Sequence, residues 1–169
     1  EQNAAHMADG YSRVTNCHGV CIAQNGPGVT NFVTAIAAAY WAHSPVVAIT
    51  PEAGSTTAGL GGFQETDQVP IFSKITRYQV HVNSPSRIAE LTHRAFTIAL
   101  DERGPVQVNI PRDYFYGELE TTIATPQPVE RSAGGAESLD RAAEMLAGAR
   151  CPVIIAGGGL VMGDGVDAA

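Results

Sequence analysis

The stretch Glu1-Gln2-Asn3-Ala4-Ala5-His6-Met7-Ala8-Asp9-Gly10-Tyr11-Ser12-Arg13 begins with a carboxylate and continues as a run of residues compatible with a helix. Ala4, Ala8 and Tyr11 recur at helical spacing, which predicts a helix with one small, apolar face. Such a face can pack closely on a sheet or on another subunit. A carboxylate at the head of this helix would lie where a strand ends, and open α/β sheets bind ligands there. Taken alone, Glu1 is a solvated residue at a chain terminus.

Apolar runs alternate with helical patterns through the next part of the chain. The predicted strands are residues 18–24, 45–50, 75–82 and 105–111. Further helices are predicted from Thr30 through Tyr40, at 68–73, and from Ser84 to Gly104. Alternation with short turns predicts an α/β fold, an open parallel sheet with helices on both faces.

The composition limits the function classes. The chain has 169 residues, 44% of them hydrophobic, enough for one domain or one domain and part of a second. A formal net charge of −7 disfavours nucleic acid and anionic membranes as partners, because both need basic surfaces. The odd count of 3 cysteines predicts no disulfide framework and hence a reducing, cytoplasmic compartment. No apolar run is long enough to span a bilayer.

The metal-ligating residue types form no predicted site. Cys17 and Cys21 would face the same side of a strand, either as a metal pair or, as we expect, as small buried apolar residues. The 5 histidines form no spaced cluster of ligands. The sequence therefore predicts no metal site.

Two loops are candidates for binding a ligand. In Asn25-Gly26-Pro27-Gly28 the proline fixes one backbone angle and the glycines allow the close approach of a ligand or a neighbouring chain; the alternative is an ordinary tight turn. The glycine-rich loop 51–62 leads to Phe63 and Gln64, which either shape a pocket or belong to a surface loop with the ring tucked inward. Arg77 is a candidate for holding an anionic group, although such residues are more often solvated.

The alternating pattern ends near residue 118, which predicts a domain boundary. We predict a first domain at 1–117, a linker rich in proline and glycine at 118–136, and the start of a second, Rossmann-like α/β domain at 137–169. In this last part we expect a helix from Ser138 and a strand at 151–156.

Five motifs, in the same order along nearly the whole chain, resemble those of one enzyme family. They are Glu1-Gln2 with His6-Met7-Ala8-Asp9-Gly10-Tyr11 and Arg13, Gln24-Asn25-Gly26-Pro27-Gly28-Val29-Thr30-Asn31, Ala39-Tyr40-Trp41-Ala42-His43-Ser44-Pro45-Val46-Val47, Gly61-Gly62-Phe63-Gln64-Glu65, and Asn109-Ile110-Pro111-Arg112-Asp113-Tyr114-Phe115-Tyr116-Gly117. The chain resembles the thiamine diphosphate enzymes related to acetolactate synthase. This implies a fragment: most of a pyrimidine-binding domain, truncated at its N-terminus, and the start of a central domain.

The resemblance implies a site. In this family a glutamate hydrogen-bonds the aminopyrimidine ring of the cofactor, and Glu1 would be that catalytic residue. The implied cofactor-binding residues are Glu1, Gly26, Pro27 and Gly28, and the substrate-pocket candidates are Phe63, Gln64 and Arg77. The family holds the diphosphate and Mg²⁺ on a separate C-terminal domain, and its active site forms between subunits, which implies a dimer or tetramer. Gly163-Asp164-Gly165 has the letters of that domain's motif but lies in the wrong domain, so we interpret it as a turn.

Within the family the motifs at 40–43 and 112–116 are most similar to members that convert sulfoacetaldehyde and phosphate into acetyl phosphate and sulfite. Both substrates are anions, which gives Arg77 or Arg112 a possible role. The alternatives are acetolactate synthase-type carboligation of pyruvate and a non-catalytic nucleotide-binding module with Gly157-Gly158-Gly159 as its phosphate loop. The isolated chain, holding half of a site, is expected to be inactive.

Overall fold

The computed structural model describes residues 1–126, 128 and 133–168. The chain divides into two compact units, Glu1–Val129 and Glu130–Ala169. The division falls inside the segment 118–136 that the sequence predicts to be a linker.

The first unit is built on a sheet of four parallel strands. They are β1 (Gly19–Ile22), β2 (Val46–Glu52), β3 (Tyr78–His81) and β4 (Val106–Pro111), in the order β1-β2-β4-β3. The register pairs Gly19 with Val46, Val47 with Val106, and Tyr78 with Val106. The predicted parallel α/β sheet is confirmed. β1, β3 and β4 lie within their predicted ranges, while β2 extends beyond residue 50 to Glu52.

Helices cover both faces of the sheet. They are α1 (Gln2–Thr15), α2 (Pro27–Thr30), α3 (Val33–Trp41) and α4 (Ile88–Asp101). Asn16 caps the C-terminus of α1 with a left-handed φ of 58°, a conformation that asparagine tolerates better than most residues. The helix predicted from Thr30 through Tyr40 is instead two helices, and Pro27 at the first position of α2 begins the first of them earlier than expected.

The core has one cluster on each face. The cluster under α1 and α3 contains Ala5, Ala8, Cys21, Val29, Phe32, Ala35, Ile36, Ala39, Val46, Ala48 and Phe72. The cluster under α4 contains Val47, Val82, Leu91, Ala95, Ala99, Val106, Val108 and Ile110. The alanines let the helices approach the sheet closely, as the small-faced pattern of α1 predicts. Burial raises the pKa of Cys21 to about 12, while Cys17 is exposed and precedes β1, so the two thiols do not form a pair.

The second unit contains α5 (Ala136–Gly148), α6 (Gly158–Met162) and a 3₁₀ turn at Val166–Ala168. The strand predicted at 151–156 is not formed, and Ile155 is 94% exposed. A strand needs a neighbour for its backbone groups, and residues 133–168 contain no other strand to pair with. Gly163-Asp164-Gly165 is a turn with Asp164 at φ 55°, as predicted. In the part of the chain that the structure describes, no helix has the length and apolarity to cross a bilayer.

Candidate functional site

Helix α1 brings Glu1 to the carboxyl edge of the sheet, by which we mean the edge formed by the carboxyl ends of its parallel strands. α1 packs on β1 and is joined to the start of that strand by residues 16–18, so the opposite end of the helix lies toward the strand's end. Glu1 immediately precedes α1, and its carbonyl oxygen accepts a hydrogen bond of 3.1 Å from Ala5 N. The turn at 25–28 follows β1 at the same edge. Glu1 and this turn therefore meet, as the predicted site requires.

The Glu1 side chain faces Gly28. Asn31 Nδ2 donates a hydrogen bond of 3.3 Å to Oε2 of Glu1, while a Cβ on Gly28 would stand 3.4 Å from Oε1. Within the described residues, this is the one side-chain hydrogen bond to the Glu1 carboxylate. Glu1 is exposed in this chain. One carboxylate oxygen is thus available to a donor on a bound molecule.

The turn at 25–28 leaves no room for a side chain at Gly26. Gly26 has a φ of 67°, and a Cβ there would overlap the carbonyl oxygen of Gln64. Gly28 is buried against Glu1. The backbone of the turn therefore lies in close contact with the carboxylate on one side and with the loop of Gln64 on the other.

Two amide side chains hold Gln64 against the turn. Gln24 Nε2 donates to Oε1 of Gln64 at 3.1 Å, and Asn25 Nδ2 donates to the carbonyl oxygens of Gln64 at 3.3 Å and of Phe63 at 3.4 Å. Gln64 adopts a left-handed φ of 56°, which these contacts help to hold. The ring of Phe63 is 73% exposed and is not tucked inward. The structure thus brings Phe63 and Gln64 to the turn beside Glu1.

The Glu65 carboxylate organises the loop that precedes Gln64. Its oxygens accept hydrogen bonds from the backbone amides of Gly59 and, at 2.9 Å, of Gly62. These hydrogen bonds, together with one from Gly61, lower the pKa of Glu65 because they favour the ionised form. An ionised carboxylate therefore fixes the conformation of this loop.

Arg112 lies at the carboxyl edge, directly after β4, and is exposed. The neighbouring Asp113 accepts hydrogen bonds from Ser55 Oγ at 2.6 Å and Ser55 N at 2.8 Å, which lower the pKa of its carboxyl group. The segment that carries Arg112 is thereby tied to the start of the loop that leads to Gln64.

Arg77 lies at the opposite edge of the sheet, which is formed by the amino ends of the strands. It precedes β3, and its amide donates to the carbonyl oxygen of Pro105 at 2.7 Å, just before β4 begins. Its guanidinium carbon is 4.4 Å from the centre of the Tyr40 ring, and its terminal nitrogens lie 3.3 Å from Tyr40 Oη and from His43 Nδ1. The structure does not bring Arg77 to Glu1, because Arg77 stands where a parallel strand starts and Glu1 where one ends.

A buried layer of polar side chains lies below the carboxyl edge, and no prediction anticipated it. This polar layer consists of Thr50, Gln68, Gln79, Gln107 and Asn109, of which all but Gln79 are buried. In β4 the sequence contains a pattern from which buried polar side chains could have been predicted. Gln107 and Asn109 alternate there with valines and an isoleucine in a strand buried on both faces. Gln68 has no such pattern. The helix predicted at 68–73 is only a 3₁₀ turn at Pro70–Phe72, and Gln68 lies outside it.

Comparison with known proteins identifies related sequences. Residues 1–71 match the family described as thiamine pyrophosphate enzyme, N-terminal TPP binding domain. The chain is 63% identical over 167 residues to the sulfoacetaldehyde acetyltransferase of Castellaniella defragrans, and 61% identical over 169 residues to that of Alcaligenes xylosoxydans xylosoxydans. It is 37% identical over 170 residues to a probable acetolactate synthase large subunit of Methanocaldococcus jannaschii. These matches cover 99%, 100% and 96% of this chain.

The chain spans 28% of the length of the two acetyltransferases and 29% of the synthase subunit. A solved structure with a similar fold is the thiamine diphosphate-dependent 4-hydroxybenzoylformate decarboxylase of Rhodococcus jostii RHA1, with a TM-score of 0.83. The match covers 97% of this chain and 32% of that chain at 22% identity, so it supports the fold alone.

Proposed function

We propose that this chain, whose residues 1–71 match the thiamine pyrophosphate enzyme family, forms the pyrimidine-side part of an acetyltransferase. The proposed reaction converts sulfoacetaldehyde and phosphate into acetyl phosphate and sulfite. The observation that carries this choice is the identity of 63% and 61% with two sulfoacetaldehyde acetyltransferases, against 37% with an acetolactate synthase subunit. In this proposal residues 1–117 are the pyrimidine-binding domain and 137–169 begin a central domain.

The geometry at Glu1 fits the pyrimidine ring of the cofactor. Oε1 of Glu1 has no hydrogen-bond partner within the described residues and lies beside Gly28, where a Cβ would stand 3.4 Å away. When bound, thiamine diphosphate supplies the carbon nucleophile and the electron sink of the reaction. The role of Glu1 is to share a proton with a nitrogen of the pyrimidine ring at Oε1. This hydrogen bond orients the ring and selects its tautomer.

The turn beside Glu1 is proposed to support the same ring. Gly26, Pro27 and Gly28 are proposed to bind the ring through this turn, in which Pro27 is exposed and Gly28 lies against Glu1. Phe63 and Gln64 are proposed to face the substrate from the loop that contacts this turn. Between the two arginines, the position of Arg112 at the carboxyl edge favours it over Arg77 as a partner for an anionic substrate.

The remaining parts of the site are proposed to come from outside this chain. Mg²⁺ and the diphosphate are proposed to be held by a part of the enzyme outside this chain. Glu1 is exposed, and a second subunit in a dimer or tetramer would cover it and exclude water. We place the enzyme in the cytoplasm and in the metabolism of taurine and other sulfonates.

Product analysis tests this proposal. The enzyme that carries this chain, supplied with thiamine diphosphate, Mg²⁺, sulfoacetaldehyde and phosphate, is expected to release acetyl phosphate and sulfite in equal amounts. Omitting phosphate is the control, and acetyl phosphate should then be absent. Formation of acetolactate from pyruvate, with no acetyl phosphate from sulfoacetaldehyde, would show that the synthase alternative is correct.

The nucleotide-binding alternative is not favoured by the geometry of the glycine run. Two of its residues, Gly158 and Gly159, belong to α6, which has only 5 residues. A phosphate loop normally leads into a longer helix whose N-terminus faces the phosphate. Calorimetric titration with a nicotinamide dinucleotide is expected to give no heat of binding, whereas thiamine diphosphate should bind.

A further inference from the structure

Gln68 joins three separate segments at the carboxyl edge. It is 1% exposed, and its Nε2 donates to the carbonyl oxygen of Pro51 at 2.6 Å and to Oδ1 of Asn109 at 2.7 Å. Its Oε1 accepts a hydrogen bond of 3.3 Å from the backbone amide of Gly26. One buried side chain therefore links β2, β4 and the turn at 25–28.

The chemistry of these partners determines the orientation of the Gln68 amide. The carbonyl oxygens of Pro51 and Thr50, the latter 3.3 Å from Nε2, can only accept, so they require the NH₂ group. The Gly26 amide can only donate, so it requires the side-chain oxygen. A glutamate here would set a carboxylate oxygen against two carbonyl oxygens. An apolar residue would leave a buried N–H group without its partner, which is costly.

Other members of the polar layer fix Gln68 through a chain of hydrogen bonds. Thr50 Oγ1 donates to Oδ1 of Asn109 at 2.9 Å, and Gln107 Nε2 donates to Thr50 Oγ1 at 3.0 Å. Asn109 Nδ2 in turn donates to the carboxylate of Glu52. Because each member is fixed by a neighbour, the amide of Gln68 is a rigid support and not a mobile surface group.

We propose that Gln68 is a positioning residue that fixes the turn at 25–28 relative to the Glu1 carboxylate. This inference rests on the proposed function, because it concerns how Glu1 meets the cofactor. The carbonyl of Gln64 already lies against Gly26 on one side, and Gln68 holds the Gly26 amide from the interior. Without that hydrogen bond the turn is free to shift, and Gly28 shifts with it against Glu1.

A matched pair of variants tests the proposal. Gln68→Met removes the amide that contacts the turn. Gln79→Met removes an amide of the same layer, whose Nε2 donates at 2.6 Å to the carbonyl oxygen of Val69 and at 2.6 Å to Oε1 of Gln107 without contacting the turn. Both are expected to lower the melting temperature of the enzyme. Only the first is expected to impair the use of the cofactor.

The readouts are the dissociation constant of thiamine diphosphate, by calorimetry, and the rate at which its thiazolium hydrogen exchanges with D₂O. Because a small displacement of a positioned group costs about tenfold or more in rate, Gln68→Met should slow the exchange about tenfold, and Gln79→Met by less than about twofold. Equal effects of the two variants would overturn the proposal. Glu1→Gln distinguishes a failure of this inference from a failure of the proposed function. If Glu1→Gln leaves the exchange rate unchanged, the proposed function itself fails.

Hydrogen exchange of the Gly26 amide provides a test that does not depend on a variant folding. In the wild-type enzyme this amide should exchange slowly, as a hydrogen-bonded group in the interior does. It should remain slow in Gln79→Met and become fast in Gln68→Met. Exchange in the wild type at the rate of an unstructured amide would show that the contact is absent and would refute the inference.

Discussion

A Cβ on Gly28 would stand 3.4 Å from Oε1 of Glu1 and 2.9 Å from Cβ of Gln24. Gly28 lies within the helix α2, where any L-residue can adopt the backbone conformation, so the glycine is required for space and not for its freedom of rotation. Its lack of a side chain lets Gln24 and the Glu1 carboxylate pack against the backbone of α2. The pyrimidine ring is proposed to bind beside this carboxylate.

Gly28→Ala is therefore expected to impair cofactor binding. The added methyl group must displace Gln24 and narrows the space beside Glu1. We expect the dissociation constant of thiamine diphosphate, measured by calorimetry on the enzyme, to rise about tenfold, as a displacement of the positioned groups would cause.

The matched control is Gly10→Ala in α1. Gly10 is exposed, and a Cβ there would have no neighbour within 4 Å. Alanine in place of this helical glycine should stabilise the fold by about 0.5–1 kcal/mol, since less backbone entropy is lost on folding, and should leave the dissociation constant unchanged. If both alanine variants bound the cofactor as the wild type does, the space beside Glu1 would not be part of the site.

Glu1→Gln should remove catalysis while preserving the fold. An amide cannot share a proton with the pyrimidine nitrogen as a carboxylate does, and general acid–base groups contribute about 10²–10⁴-fold in rate. We expect the exchange of the thiazolium hydrogen to slow by at least about a hundredfold, followed by NMR in D₂O. Because glutamine has nearly the same size and its side-chain oxygen can accept the hydrogen bond from Asn31, the melting temperature should hardly change. Glu102→Gln, an exposed acid at the end of α4, is the control and should exchange at the wild-type rate.

The fold of the first unit follows from its sequence because apolar runs and turn residues report local structure directly. The valines of β2 and β4 mark strands buried on both faces, and Ser84 with Pro85 marks the entry to the segment before α4. The segment 151–156 has the same local signal but is not a strand. A strand forms only where a neighbouring strand is available to pair with it, and a local run of apolar residues does not indicate whether such a neighbour exists.

The site could be predicted only where residues carry a recognisable motif. Glu1, the turn at 25–28 and Gln64 lie together as expected, since each is part of a short, ordered pattern. Arg77 lies away from them because it directly precedes β3, at the amino ends of the strands. The residue type of Arg77 does not indicate at which end of the sheet it lies. The burial of Gln68 was missed because a glutamine at the start of a short predicted helix is normally solvated, and its burial depends on partners far along the chain.

The two arginines should give opposite results when their charge is removed. Arg77 packs on the Tyr40 ring, so Arg77→Met should destabilise the enzyme by about 1 kcal/mol, read from its unfolding free energy, without changing the KM for sulfoacetaldehyde. Arg112→Met should raise that KM about tenfold, because a charge-assisted hydrogen bond to an anion is lost. A rise in KM for Arg77→Met, with none for Arg112→Met, would assign the anionic substrate to the other edge of the sheet.

The loop before Gln64 should lose its order as the pH falls. Hydrogen bonds from Gly59 and Gly62 hold the pKa of Glu65 below its ordinary value, so the stabilisation they provide is complete above the unfolded pKa of about 4.3 and is lost as the pH falls through the lower folded value. The amide chemical shifts of Gly59 and Gly62 should therefore titrate together below about pH 4.3, measured by NMR. In Glu65→Gln this step should vanish, and the two amides should exchange with solvent faster at neutral pH. A titration that persists in the variant would mean that another group, and not Glu65, closes the loop.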